Sequence, residues 1–396
     1  MDTPGLSGHR QGLDFAPRFD VVSVNADQSS AVIQLSDVGL ELYVEIELEV
    51  EPSGLLRQRL TLTNDGTEDY TLEQLQMVFP IPESATEILD TTGHHLRERA
   101  PQRHDIAMGT HQRESLKGRP GADSTLFMAA GSKGFGFETG LVHAVHLAWS
   151  GNFRIGVTRT PSSATFFTVS ELLLPGEVIL GPGESYSTPW ALAAWGKGLN
   201  QLSHQFHGYV RGRGSHPRRD RPVTLNTWEA VYFDHDQEKL FELADVAAEA
   251  GVERFVLDDG WFLGRRDDTK GLGDWYVDEE VWPEGLDPLI QKVQGLGMEF
   301  GLWVEPEMVN PDSNLAREHP DWILKGRSDL PPSARQQQVL DLTNPEAYAF
   351  IRERLLDLLG QYDIAYLKWD HNRDLLEAGS GGGRASTSRR RRSTDC

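Results

Sequence analysis

Cysteine is nearly absent: one residue, Cys396, in 396. No disulfide can form within the chain, which fits a reducing compartment and sets the expectation of a cytoplasmic protein. Long apolar runs are missing too, and nothing approaches the roughly 20 residues a membrane-spanning helix needs. The opening residues, MDTPGLSGHRQG, lack the apolar stretch of a signal peptide. Cations are in short supply, with 38 Lys and Arg against 60 Asp and Glu and a formal net charge of −22. That balance argues against a nucleic-acid partner, whose phosphates draw their affinity from Lys and Arg, and against an anionic membrane surface.

What is present is ordinary globular material, 38 % hydrophobic and 25 % charged, in two regions of different period. Up to residue 200 the chain reads as β-structure. ELYVEIELEVE alternates strictly, with Leu42, Val44, Ile46, Leu48 and Val50 on one face and Glu45, Glu47 and Glu49 on the other. EPSG turns it into LLRQRLTLTNDG, and GFGFETG and LVHAVHLAW read as further short strands. The first region, 1–200, is therefore expected to be a β-sandwich. The basic, Gly-rich stretch 201–222 reads as a linker.

From 223 to 376 a helix, a closing glycine and a short apolar strand come round repeatedly. DQEKLFELADVAAEAG has Asp236 as N-cap, with Leu240, Leu243, Val246 and Ala247 as its stripe. DPLIQKVQGLG has Asp287 as cap and Pro288 at the first helical position, and NPEAYAFIRERLLDLLG begins at Asn344 and Pro345. The strands are TLNTWEAVYF, ERFVLDD, EFGLWVEP and AYLKWD. Polar residues gather at their C-terminal ends, where a (β/α)8 barrel puts its active site. A doubly wound sheet binds ligands there too, but no glycine-rich phosphate loop follows any of these strands. The fold class read here is an N-terminal β-sandwich followed by a partial TIM barrel of about four of the eight strands of that fold.

Three strand ends carry the chemistry. VLDDGWF offers Asp258 and Asp259, LWVEPEM puts Trp303 and Glu305 on one face, and LKWDHN puts Lys368 and Asp370 on one face with Trp369 turned away. A cation two residues from a carboxylate favours its ionised, nucleophilic form. Any one of these acids taken alone reads as a helix cap or a turn; the three sets together suit a sugar, whose apolar face stacks on aromatic rings and whose hydroxyls donate to carboxylates. The rival chemistry is a metal held by Asp258, Glu305, Glu307 and Asp370. A zinc site would normally add histidine, and His371 lies on the wrong strand face, so the sugar reading ranks above the metal.

The motifs NTWEAVYFD, DDGWF, GDW, WPEGLDPL, GLWVEPEMVNPDS, HPDW, QQVLDLTNPEA and YLKWDHNRDL run from residue 226 to 375. In that order the chain resembles the microbial α-galactosidases of glycoside hydrolase family 36. The resemblance implies retaining hydrolysis of terminal α-galactosides of the melibiose and raffinose type, α-galactoside oligosaccharides as ligands, no cofactor and no metal. It implies Asp370 as nucleophile and Lys368 and Asn372 on the sugar ring. It implies Asp258 and Asp259 on the hydroxyls at carbons four and six, Trp228 and Arg335 completing the pocket, and Trp303 as a weaker stacking candidate. His95, in TTGHHLRE, stands where family members usually carry tryptophan. The resemblance leaves room for a homo-oligomer in the full-length form. Two alternatives stay open: a galactoside-binding protein without turnover, and a transferase building raffinose-type sugars.

The last segment, 377–396, is a Gly, Ser and Arg tail unlike the rest. In the resembling family the acid/base aspartate lies well beyond the nucleophile, and Asp395 is too close in sequence to take that role. With GC-rich codons, dropping two bases re-reads the tail as a helix-like peptide. The expectation is therefore a reading-frame shift near Gly381 to Gly383, a C-terminally truncated copy without its acid/base, and a chain that folds poorly and turns over little.

Overall fold

The structure, a computed structural model, describes residues 5–162, 164–376, 379–380 and 384–385. Most of the tail, including Asp395, and therefore the frame-shift reading, lies outside the described residues. The chain forms two compact units, 1–216 and 217–396. No helix among the described residues is long and apolar enough to cross a membrane.

The first unit is antiparallel β-structure. A ten-stranded sheet runs from Asp20–Ala26 through Ser30–Asp37, Leu42–Val50 and Leu56–Asn64, then Ala191–Lys197, Leu141–Leu147, Phe127–Gly131, Glu87–His94 and Arg97–Asp105, with Ser185–Ser187 attached to Leu56–Asn64. A four-stranded sheet is ordered Gly109–Ser115, Phe153–Arg159, Thr165–Glu171, Met77–Ile81. The two share one apolar core: Leu42, Val44, Leu62, Met128 and Val145 from the larger sheet pack with Met77, Phe153, Ile155, Phe167 and Val169 from the smaller. The alternation read in 42–50 is what supplies Leu42 and Val44 to that core, although Val50 at the strand end is 48 % exposed.

Two expectations fail here. GFGFETG is a turn-rich loop, not a strand, because Gly134 and Gly140 take φ of +71° and +83°, a region closed to extended strands. The stretch assigned to a linker is helical up to its middle, since a helix spans Gly198–Gly212. Its Leu202 is buried against Ala129, Phe135, Val142, Ala144 and Ala194, and Phe206 meets the Phe127 ring edge-on at 6.0 Å. Those apolar contacts outweigh the polar, Gly-containing composition that suggested a linker.

The second unit is built on four parallel strands in sequence order, Thr224–Asn226, Arg254–Leu257, Glu299–Val304 and Tyr366–Trp369. Helices Gln237–Glu249, Asp287–Gly295 and Pro345–Gln361 lie between them in the chain. Asp236 caps the first, its side chain accepting from the Lys239 N–H, and Asn344 caps the third through the Glu346 N–H. Asp287 is the first helical residue of the second helix rather than its cap. In the first helix the buried stripe is Leu240, Ala244 and Ala247, and Val246 is 63 % exposed. The 3.6-residue period carries Val246 round to the solvent side of that stripe. TLNTWEAVYF contributes only three strand residues before turning into the short helix Trp228–Val231.

The core of this unit is aromatic. Trp261, Phe262, Trp275 and Trp303 are all buried, and each ring meets at least two of the others. Here GDW is structural: Asp274 accepts from the N–H groups of Asn314 and Leu315 and so caps the helix Asn314–Glu318, while Trp275 fills the cluster.

Candidate active site

The polar residues of interest sit just past the C-terminal ends of the parallel strands. The register Trp303 to Lys368 and Val304 to Trp369 carries on through a hydrogen bond from the Asp370 N–H to the Val304 carbonyl, 2.8 Å. It lays Glu305 and Asp370 side by side where the strands give out.

Asp370 is held by three donors. Asn372 Nδ2 and Trp303 Nε1 donate to its Oδ2 at 2.7 and 3.1 Å, and the His371 N–H donates to its Oδ1 at 3.0 Å. Burial pushes the Asp370 pKa up, but these hydrogen bonds and the nearby Lys368 charge outweigh it, so the group lies below the ordinary aspartate range and is ionised. The Lys368 cation read from sequence as the partner of Asp370 points elsewhere. Its Nζ donates to Asp258 Oδ2 at 2.6 Å, reaching past the intervening Glu299–Val304 strand.

Asp258, 3 % exposed, also accepts from the Asp259 N–H at 2.8 Å. The turn that presents the two aspartates closes on Gly260, at φ +121°, where a Cβ would stand 3.0 Å from the His235 ring; only glycine fits. His235 is itself buried, and burial followed by the Arg266 charge lowers its pKa to about 4, so it is neutral. Asp259 faces away from Lys368 into a buried bidentate pair, Arg265 Nε to Oδ1 at 2.9 Å and Nη2 to Oδ2 at 2.8 Å. Arg265 is anchored in turn on the Lys270 carbonyl and Asn310. Burial raises the Asp259 pKa, and the Arg265 bonds oppose the rise.

Glu305 completes the group. It is 1 % exposed, with Oε1 accepting the Asn372 N–H and Oε2 accepting Gln337 Nε2 at 3.1 Å. Burial, with the Asp370 and Asp259 charges, raises its pKa to about 6. Glu305 thus fixes Asn372 through the main chain, and Asn372 fixes Asp370 through its amide.

Among the residues singled out from sequence, the structure joins Asp370, Asn372 and Trp303 in one hydrogen-bonded group, and Asp258 with Lys368 in another. Trp303 does not offer a stacking face: it is 2 % exposed, and Phe262 stacks on it at 6.2 Å and 7°. Its indole N–H orients Asp370 instead. Trp228 sits half-buried on its short helix with its ring against Tyr232 and Phe233, and makes no hydrogen bond to these carboxylates. Arg335 stands exposed on its loop at φ +52°, outside the hydrogen-bonded group. The four carboxylates of the metal reading face different partners: Asp258 faces Lys368, and Glu307 takes Trp369 Nε1 at 3.2 Å and His371 Nδ1 at 3.4 Å. His95 is at the exposed tip of a hairpin in the first unit, beside Glu98.

Sequence reasoning missed Arg265, gave Gln337 no role beyond its place in QQVLDLTNPEA, and read Glu305 only as one of the strand-end carboxylates for a sugar or, in the rival chemistry, a metal. Nothing in LGRRDD marks which arginine would be buried. The two carboxylates at 258 and 259 were the one available signal, since a buried acid needs a counter-charge.

The melibiase family model matches residues 185–394, and the glycosyl hydrolase family 36 N-terminal domain matches residues 1–181. The chain belongs to glycoside hydrolase family 36. An α-galactosidase of Escherichia coli is 41 % identical over 394 residues, 99 % of this chain and 56 % of that protein. Alpha-galactosidase AgaA of Geobacillus stearothermophilus is 35 % identical, over 87 % of this chain and 48 % of its own length. The crystal structure of that family 36 AgaA superposes with a TM-score of 0.91 at 30 % identity, covering 98 % of this chain and 58 % of that one. A variant of AgaA has been solved in complex with 1-deoxygalactonojirimycin, with a TM-score of 0.90 at 30 % identity over 98 % of this chain and 58 % of that one. The chain spans about half the length of the curated relatives it matches.

Proposed function

We propose that these residues form the nucleophile side of a retaining α-galactosidase site, within a β-sandwich followed by the first half of a (β/α)8 barrel. The observation that carries this is the Asp370 carboxylate, kept ionised by three donors beside the ion pair of buried Asp258 with half-buried Lys368. Support for galactose as the sugar comes from the relatives, which are named α-galactosidases, one of them solved with a galactose-shaped iminosugar.

In the proposed reaction Asp370 attacks the anomeric carbon. Oδ1 is the attacking atom, because it carries one hydrogen bond where Oδ2 carries two. The new bond forms as the bond to the leaving oxygen breaks, and that oxygen takes up a proton. Water then attacks the same carbon and releases Asp370, so configuration is retained. Lys368 and Asp258 bind sugar hydroxyls from one side as donor and acceptor. Asp259, with both oxygens on Arg265, fixes the turn and offers its remaining lone pairs.

Retaining enzymes use two carboxyl groups about 5–5.5 Å apart. Glu305, its pKa raised to about 6, is buried and bound to Asn372 and Gln337, so it positions the nucleophile rather than protonating the leaving group. The proton donor is therefore proposed to lie outside this set of residues, and oligosaccharide turnover by this set alone is expected to be negligible.

An activated 2-deoxy-2-fluoro-α-galactosyl fluoride tests the nucleophile without needing that donor, because fluoride leaves unprotonated. Incubation followed by peptide mass spectrometry is expected to find the sugar on the peptide containing Asp370, and no adduct in Asp370→Asn. An adduct on another carboxylate, or none in a chain that binds 1-deoxygalactonojirimycin, would overturn the assignment.

A further inference from the structure

Outside the sugar site, the first unit holds a cluster that the hydrolase reading leaves unused. We propose that Asp90, His104 and His111 form a binding site for one zinc ion. Their ligand atoms all lie within 4.8 Å of one another. The three come from three strands: Asp90 from Glu87–His94, His104 from Arg97–Asp105, and His111 from Gly109–Ser115.

The spacing suits the ion. Zinc bonds of about 2.0–2.2 Å put tetrahedral ligands about 3.3 Å apart. His111 Nε2 is 2.7 Å from Asp90 Oδ2, and His104 Nε2 is 3.6 Å from Asp90 Oδ1, values either side of that edge. The two imidazole rings are 4.5 Å apart and tilted by 34°. His104 Nε2 is buried with no hydrogen-bond partner, which is a free ligand atom aimed at the carboxylate. Asp90 is 1 % exposed. Burial raises its pKa, but hydrogen bonds from Arg113 and His111 outweigh that and keep it ionised. Two imidazoles and one carboxylate suit a borderline ion such as zinc, whereas calcium and magnesium want oxygen ligands.

Arg113 shares this carboxylate, Nε to Oδ2 at 2.8 Å and Nη2 to Oδ1 at 3.3 Å, and also donates to Gln102. It orients Asp90 as a hydrogen-bonding neighbour of a metal ligand does, and its charge repels the ion. The site is therefore weak, and Arg113 sets its weakness. The consequence is mechanical. His104 lies on the last strand of the ten-stranded path and His111 on an end strand of the four-stranded sheet, so a bound ion would tie one sheet edge to the other.

Full-length protein, dialysed against chelator at pH 7.5, would be titrated with zinc chloride by calorimetry and with cobalt(II) by visible absorption. One ion per chain is expected. His104→Asn or His111→Asn alone should weaken binding by about tenfold or more, and the double variant should abolish it; His95→Ala should change nothing. Arg113→Gln should tighten binding by about tenfold, as relief of a like charge in a partly buried site predicts. Far-UV circular dichroism checks that each variant is folded, and Asp90→Asn supplies a third ligand deletion should a histidine variant unfold. No cobalt spectrum, binding that survives the double variant, or an Arg113→Gln protein that binds no more tightly would overturn the assignment.

Discussion

Glu305→Gln isolates the electrostatics of the site without removing its shape. The folded-state pKa of about 6 stands against an ordinary value of 4.5. Below pH 4.5 the carboxyl is protonated in both folded and unfolded chains. Between the two values the unfolded chain gives up its proton while the folded one keeps it, so stability falls as pH rises, and above about 6 the loss is complete. At 1.36 kcal/mol per unit the loss is about 2 kcal/mol. The amide cannot ionise, so the variant escapes it. Its carbonyl can still accept the Asn372 N–H. Gln337 Oε1, buried and unpartnered in the parent, can turn to accept the new NH2. Denaturant unfolding followed by tryptophan fluorescence suits the measurement, because seven of the ten tryptophans lie beyond residue 217. The variant's stability relative to the parent is expected to rise by about 2 kcal/mol between pH 4 and pH 7.5. A difference that stays flat over that range would refute the claim that burial raises the Glu305 pKa above its ordinary value.

Trp303→Phe keeps an aromatic ring against Phe262 and Trp275 but deletes one donor to Asp370; the Asp370 pKa should rise, and the acid limb of its labelling by the fluorosugar should move to higher pH. Arg265→Met strands the buried Asp259 carboxylate and should cost about 3–5 kcal/mol by denaturant unfolding, while Arg265→Met with Asp259→Leu should recover a large part of it. Asp236→Ala removes a helix cap and should cost about 1 kcal/mol without altering labelling at Asp370.

Local pattern made much of this protein legible. Asp236 and Asn344 announce their helices because a cap is a contact within three residues. The short apolar runs ending on acids announce the parallel strands and put Asp258, Glu305 and Asp370 at their ends. Context defeated the same reasoning where a distant surface decided the outcome. Leu202 and Phe206 make a helix of half the expected linker because a sheet face waits for them.

The sequence by itself determined which residue types stand at the strand ends, and so the class of chemistry, because a strand's period and its termination are properties of adjacent residues. Only the tertiary structure decided who partners whom. Lys368 serves Asp258 rather than the aspartate two residues away, Trp303 orients a carboxylate instead of stacking on a sugar, and Arg265 neutralises Asp259. The reason is that charge pairing and desolvation depend on distances in space, set here by strand register and by loops whose course no local pattern encodes.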